Sequence, residues 1–129
     1  MGPYLIDTNV ISDYFSASIP AAGLQFMDAV IDAIPNLSII IQIELLCWTI
    51  DADTEKKVAG FISESLVLDI TPDVIVQCVS LRKGKSKKIK TPDAIIAATA
   101  LAHSYTLITN NEKDFVGIQG LNIVNPHKV

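Results

Sequence analysis

The stretch that decides the fold runs from Lys90 to Phe115: Lys-Thr-Pro-Asp-Ala-Ile-Ile-Ala-Ala-Thr-Ala-Leu-Ala-His-Ser-Tyr-Thr-Leu-Ile-Thr-Asn-Asn-Glu-Lys-Asp-Phe. Its first half reads as a helix. Thr91 is placed to cap it, and Pro92 suits the first helical position, where its missing N–H costs nothing. From Ala94 to Ala102 the helix is apolar almost all round, which predicts burial against a sheet. Asp93 stands in the first turn, at the lip of that apolar helix. Thr106 to Thr109 is a short β-prone run, and Asn110-Asn111 ends it. Asp114 follows on another short helix. One carboxylate thus opens a buried helix, and a second polar cluster lies just past the next strand. Acidic sites of this kind form where strands hand over to helices.

The rest of the chain repeats this alternation. Tyr4–Ile6 is a first strand, followed by Asp7-Thr8-Asn9 and a helix from Val10 to about Phe15. Ala21–Ile34 has helical spacing. Leu37–Ile40 reads as a second strand, running into a helix over about 42–50 that carries Glu44 in its first turn. Thr54–Ser63 is amphipathic and helical. Leu66–Ile70 is a third strand. Thr71-Pro72-Asp73 opens a helix to about Leu81, with the same start as at Thr91. Leu121–Val124 is a final strand. Strands separated by helices imply parallel crossovers and a three-layer α/β/α sandwich with a parallel sheet of about five strands. At 129 residues, with no linker, the expectation is one domain over 1–129.

Composition narrows the function. The net charge is −4, which argues against attachment to nucleic acid by global charge. It leaves room for a local basic patch, or for a metal that brings positive charge. Such a patch exists: six of the nine residues from Arg82 to Lys90 are basic (Arg82, Lys83, Lys85, Lys87, Lys88, Lys90). They are candidates for RNA phosphate contact, with a solvated loop as the competing reading. Few aromatics argue against stacking-based binding of single strands. Cys47 and Cys78 have no CxxC spacing and read as buried small hydrophobes in a reducing cytoplasm. The uncharged, strand-like opening residues give no expectation of a secretory signal, and Leu37–Trp48 is too short to span a membrane.

Read singly, each acid has a local explanation. Asp7 serves as a helix cap, Glu44 as an edge-of-core side chain reaching water, and Asp93 as a partner of the helix dipole. Glu44 fits that reading least, because Ile-Ile-Ile-Gln-Ile-Glu-Leu-Leu-Cys-Trp surrounds it with apolar side chains and no cation. A buried carboxylate neutralises or finds positive charge. Their joint placement carries more. Asp7 and Glu44 sit at or just past the C-terminal ends of strands one and two. Asp93 opens the helix before strand four, and Asn111 and Asp114 follow that strand. In a parallel sheet these ends share one edge, where ligands bind. Clustered carboxylates repel unless a cation joins them, and oxygen-only donors suit Mg²⁺ or Mn²⁺. The chemistry that follows is phosphodiester hydrolysis. There is no GxSxG, Gly-rich phosphate loop or HExxH to support another. His103 and His127 read as structural, and Trp48 as core or subunit interface.

These residues carry a resemblance. The chain resembles the PIN-domain family, in particular the VapC-like ribonuclease toxins of bacterial toxin–antitoxin pairs. Leu5-Ile-Asp-Thr-Asn-Val10 matches the opening motif and Ile43-Glu-Leu-Leu46 the second. Pro92-Asp-Ala-Ile-Ile-Ala-Ala-Thr-Ala100 matches the third. Thr109 to Asn111 with Asp114-Phe115 matches the fourth. The resemblance implies a metal-dependent endoribonuclease with metal-coordinating acids at Asp7, Glu44 and Asp93, completed by Asp114. Asn9, Thr109 and Asn111 are implied as polar supports. It further implies a homodimer, a cognate antitoxin reaching into the active-site groove, and structured RNA, tRNA or ribosomal RNA, as substrate. Two positions depart from the pattern. Relatives commonly carry Ser or Thr where Ile41 stands, capping the helix of the second acid, and often Arg where Asn110 stands. The alternatives are a catalytically silent PIN-like domain that binds RNA or a partner, and a receiver-like phosphoacceptor with Asp69 as acceptor.

Overall fold

The computed structural model describes residues 3–84 and 88–129. Five short strands alternate with helices. They are β1 (Tyr4–Ile6), α1 (Thr8–Phe15), α2 (Ala21–Asp32), β2 (Asn36–Ser38), α3 (Ile39–Leu46), α4 (Ala52–Ser63) and β3 (Leu66–Leu68). Then come α5 (Pro72–Lys83), α6 (Thr91–His103), β4 (Thr106–Ile108), α7 (Glu112–Phe115), β5 (Ile123–Val124) and a 3₁₀ turn, Pro126–Lys128. All pairings are parallel, in the order β3-β2-β1-β4-β5. This is the expected three-layer α/β/α sandwich. Leu5, Ile6, Leu37, Leu107 and Ile108 are fully buried, as strands covered by helices on both faces must be.

The sheet order places the site. β1 and β4 are neighbours, with Tyr4, Leu5 and Ile6 opposite Thr106, Leu107 and Ile108. The chain leaves β1 toward β2 and β3 on one side, and β4 leads to β5 on the other. The C-terminal ends of β1 and β4 therefore flank the crevice where strand order reverses. The same order rules out the receiver-like alternative. A receiver sheet keeps its third strand beside the first. Here β3 is an edge strand, and Asp69 beyond it is exposed, two strands from Asp7.

Several boundaries move. The second strand ends at Ser38, not Ile40, because Ser38 Oγ accepts from the Ile41 N–H (3.4 Å) and starts α3 at Ile39. Glu44 thus lies in the second turn of its helix, not the first. The missing hydroxyl at Ile41 is supplied three residues earlier, and Ile41 itself is fully buried. At α6, Lys90 is the N-cap and makes no side-chain cap, so Thr91 enters the helix instead of capping it. α4 begins at Ala52 with Asp51 accepting from Thr54 N–H (3.1 Å). Cys47 is exposed, contrary to its expected burial, because α3 ends one residue before it; Cys78 is half-buried.

Candidate active site

Asp7 follows β1 and caps α1. Its Oδ1 accepts from the Thr8 N–H (2.8 Å). Its Oδ2 accepts from the Asn9 amide (3.2 Å) and from the buried Thr109 hydroxyl (2.8 Å). Thr109 comes from the end of β4, so this bond closes the β1/β4 crevice from behind. Asp7 is 6% exposed. Burial pushes its carboxyl above the usual range; the bonds from Thr109 and Thr8 oppose this, and the negative charges of Asp93 and Glu44 add to it.

Glu44 reaches the same place from α3. Its Oε1 accepts from the Thr8 hydroxyl (2.6 Å), 36 residues away in the chain. Asp93, in the first turn of α6, is half-buried. Burial raises its carboxyl, as do the charges of Asp114 and Glu44, while Lys90 lowers it. Asp7, Thr8, Glu44, Trp48, Asp93 and Asn111 line one cleft of about 310 Å³, with Asn9 at its side. Asp114 stands beyond Asn111, whose amide donates to its Oδ2 (2.5 Å). Asp93 and Asp114 together face a narrow passage next to the cleft, flanked by Lys88 and Lys90.

The candidate residues therefore divide. Asp7, Glu44 and Asp93 are brought together, with Asn9, Thr109 and Asn111 as polar neighbours, and Asp114 joins from the far side of Asn111. Of the basic residues, Lys88 and Lys90 reach the site. Arg82 and Lys83 close α5, where cations complement the helix dipole. Lys85 and Lys87 lie outside the described residues. Trp48 packs on the core and also walls the cleft. His103 stacks on Tyr105, with ring centroids 5.2 Å apart.

Sequence reasoning missed two participants, Thr8 and Asp13. Thr8 couples the first helix to the second acid; a hydroxyl directly after the strand-end acid is the signal that could have marked it. Asp13 accepts from the Asn110 amide and pairs with His127 Nε2 (2.8 Å), tying the loop after β4 and the C-terminal turn to α1. Asn110, which stands where relatives often carry Arg, thus faces Asp13. The Asn110 N–H also donates to Asn9 Oδ1 (3.3 Å).

The donor set is oxygen throughout, and the neighbouring carboxylates raise the proton affinity of Asp7 and Asp93, which is the chemistry of a hard divalent cation's site. As they stand, no three His, Cys, Asp or Glu side chains among the described residues form a ready-made metal cluster. No helix among these residues is long and apolar enough to cross a membrane.

The comparisons agree with this geometry. The chain is 56% identical over 36 residues to ribonuclease VapC1 of Rickettsia felis, a match spanning 28% of this chain and 27% of that protein's length. It superposes on a toxin–antitoxin complex from Klebsiella pneumoniae with a TM-score of 0.73 and 33% identity, covering 98% of this chain and 99% of that one. DNA-bound VapBC from Salmonella typhimurium shares the fold, with a TM-score of 0.80 at 23% identity over 98% of this chain and 99% of that one. The PIN-domain profile matches residues 4–120. By that match, and by the arrangement of strands and acids described above, the chain belongs to the PIN-domain family.

Proposed function

We propose that the chain is a divalent-metal-dependent endoribonuclease, the toxin of a toxin–antitoxin pair, acting as a single PIN-like unit. The observation that carries this reading is the convergence of Asp7, Glu44 and Asp93 in one cleft at the C-terminal edge of a parallel sheet. Family membership supports it, as do the Rickettsia relative, which is named a ribonuclease, and the Klebsiella structure, which is a toxin–antitoxin complex.

Asp7, Glu44 and Asp93 would hold Mg²⁺ or Mn²⁺, with Asp114 completing the set. Such an ion, when bound, polarises a phosphate oxygen and lowers the pKa of water. The chain's own residues do the positioning. Three donors fix Asp7, so its carboxylate does not reorient. The Thr8 hydroxyl aims Glu44 at the cleft. Asn111 holds one oxygen of Asp114 and leaves the other to orient an attacking water. Lys88 and Lys90 stand beside Asp93 and Asp114, and there they would meet RNA phosphates and supply locally the positive charge that the whole chain lacks.

The partners are RNA, of which tRNA and ribosomal RNA are candidates, a cognate antitoxin, and a second copy of the chain. Exposed apolar side chains on α5 (Ile75, Val76, Val79) and α3 (Ile43, Leu46) support protein partners. A silent PIN-like binding domain is the second reading, and the same exposed apolar side chains would serve it. Incubation of a tRNA and ribosomal RNA pool with Mn²⁺, with EDTA, and with Asp7→Asn separates the two. The nuclease gives discrete fragments that need both metal and Asp7. Wild-type cleavage by Asp7→Asn overturns the assignment.

A further inference from the structure

Asp93 of the acidic cleft also walls a second, small cavity, together with Lys88, Lys90 and Asp114. Ile89 and Asp114 in turn wall a chamber of about 450 Å³ between the end of α5 and the loop after α7. The walls are aliphatic: Leu81, Ile89, Val116 and Ile118. Three polar side chains, Ser80, Asp114 and Gln119, stand among them. Val116 is 63% exposed, a large apolar surface left facing water at the chamber wall.

Asp93 and Asp114 thus stand with the two lysines between the acidic cleft and a mostly aliphatic chamber. A phosphate chain seated over the acids and lysines would lie next to the chamber, which shares Asp114 with them. The chamber's size falls in the range of small-ligand sites, and its lining has their character, apolar walls with a few placed polar groups. An unpaired base is a flat apolar body with hydrogen-bonding edges, and splayed bases are what proteins read in RNA. We propose that the chamber between α5 and the loop after α7 takes one unpaired nucleobase of the RNA, near the scissile phosphate. The Gln119 amide and Ser80 hydroxyl read its edge, and the aliphatic walls hold its faces. This rests on the nuclease reading above, and it adds the source of base preference at the cut.

The test maps cleavage ends of a mixed RNA pool in Mn²⁺ for the wild type, Val116→Trp, which fills the chamber, and Gln119→Leu, which removes the amide. Both positions are exposed, and thermal melting together with Mn²⁺ titration checks that fold and metal binding are kept. Wild-type cuts are expected to share one base at a fixed distance from the scissile bond. Val116→Trp is expected to lower kcat/KM on such sites at least about tenfold, and Gln119→Leu to flatten the base preference. Wild-type cuts without a shared base, or variants with unchanged rate and preference, overturn the chamber and leave the nuclease standing. If the wild type cuts no RNA under any metal condition, both readings fall.

Discussion

Thr-Pro-Asp occurs twice, at residues 71–73 and 91–93, and the two copies do different things. At α5, Thr71 is a true cap: its hydroxyl accepts from the Val74 N–H (3.3 Å), Pro72 is the first helical residue, and Asp73 is exposed. At α6 the helix starts one residue earlier. The Lys90 carbonyl accepts from the Ala94 N–H (2.8 Å), Thr91 is already helical, and Asp93 is the third residue. One residue is about 100° of rotation on a helix. Asp93 faces Glu44 and Asp114 across the cleft. The surroundings explain the difference. α6 buries Ala94, Ile96, Ala97, Ala98, Thr99 and Ala100, whereas α5 buries only Val74 fully. A helix covered nearly all round has its phase set by packing; a surface helix takes the phase its cap prefers. A capping motif therefore predicts that a helix begins, and burial decides which residue faces the site.

Breaking the two copies in parallel tests this comparison. The largest effect is expected on catalysis. Asp93→Asn should reduce metal-dependent RNA cleavage roughly a hundredfold or more, while Asp73→Asn keeps wild-type rates, as single-turnover assays would read. Equal losses from both would mean that the two helix starts are not distinct in function. The next effect is on stability and runs the other way. Thr71→Ala should cost about 1 kcal/mol in urea unfolding, the usual value of a lost cap, while Thr91→Ala stays within about 0.5 kcal/mol. A comparable loss at Thr91 would restore it as a cap.

The smallest effect sharpens the electrostatic side. The Asp93 carboxyl is held above its ordinary value of 3.8 by burial and by Asp114 and Glu44. Below that value it is protonated both folded and unfolded and contributes nothing. As pH rises past 3.8, the unfolded chain ionises freely and the folded one resists, so stability is lost. Metal-free Asp93→Asn should therefore melt above wild type at pH 7, with the gap closing as pH falls toward 3.8. Asp73→Asn should show no such gain. A gap that does not change with pH would show that the gain does not come from ionisation of Asp93.

Legibility in the sequence was uneven for physical reasons. The order of strands and helices was readable, because short β-branched runs and apolar periodicity are local signals. So were Asp7, Glu44 and Asp93, since a carboxylate at the end of an apolar run stands out. The β2–α3 junction was not. Leu37-Ser-Ile-Ile-Ile-Gln-Ile43 has β-branched residues on both sides of the true boundary, and only the Ser38 bond to Ile41 N–H marks it. Cys47 was misread because hydrophobic type does not tell which face of a helix end meets water. The Asp13–His127 pair joins residues too far apart for any pattern to register.

By itself, then, the sequence determined the alternation of elements and the parallel sheet and singled out the candidate acids, all from neighbours a few residues apart. Tertiary structure alone decided that β1 lies against β4, that Thr8 holds Glu44, and that Thr109 closes on Asp7 from 102 residues away. Such contacts are made when helices cover both faces of a twisted sheet, and the energy that selects them is burial of the whole core, which no short stretch of residues carries.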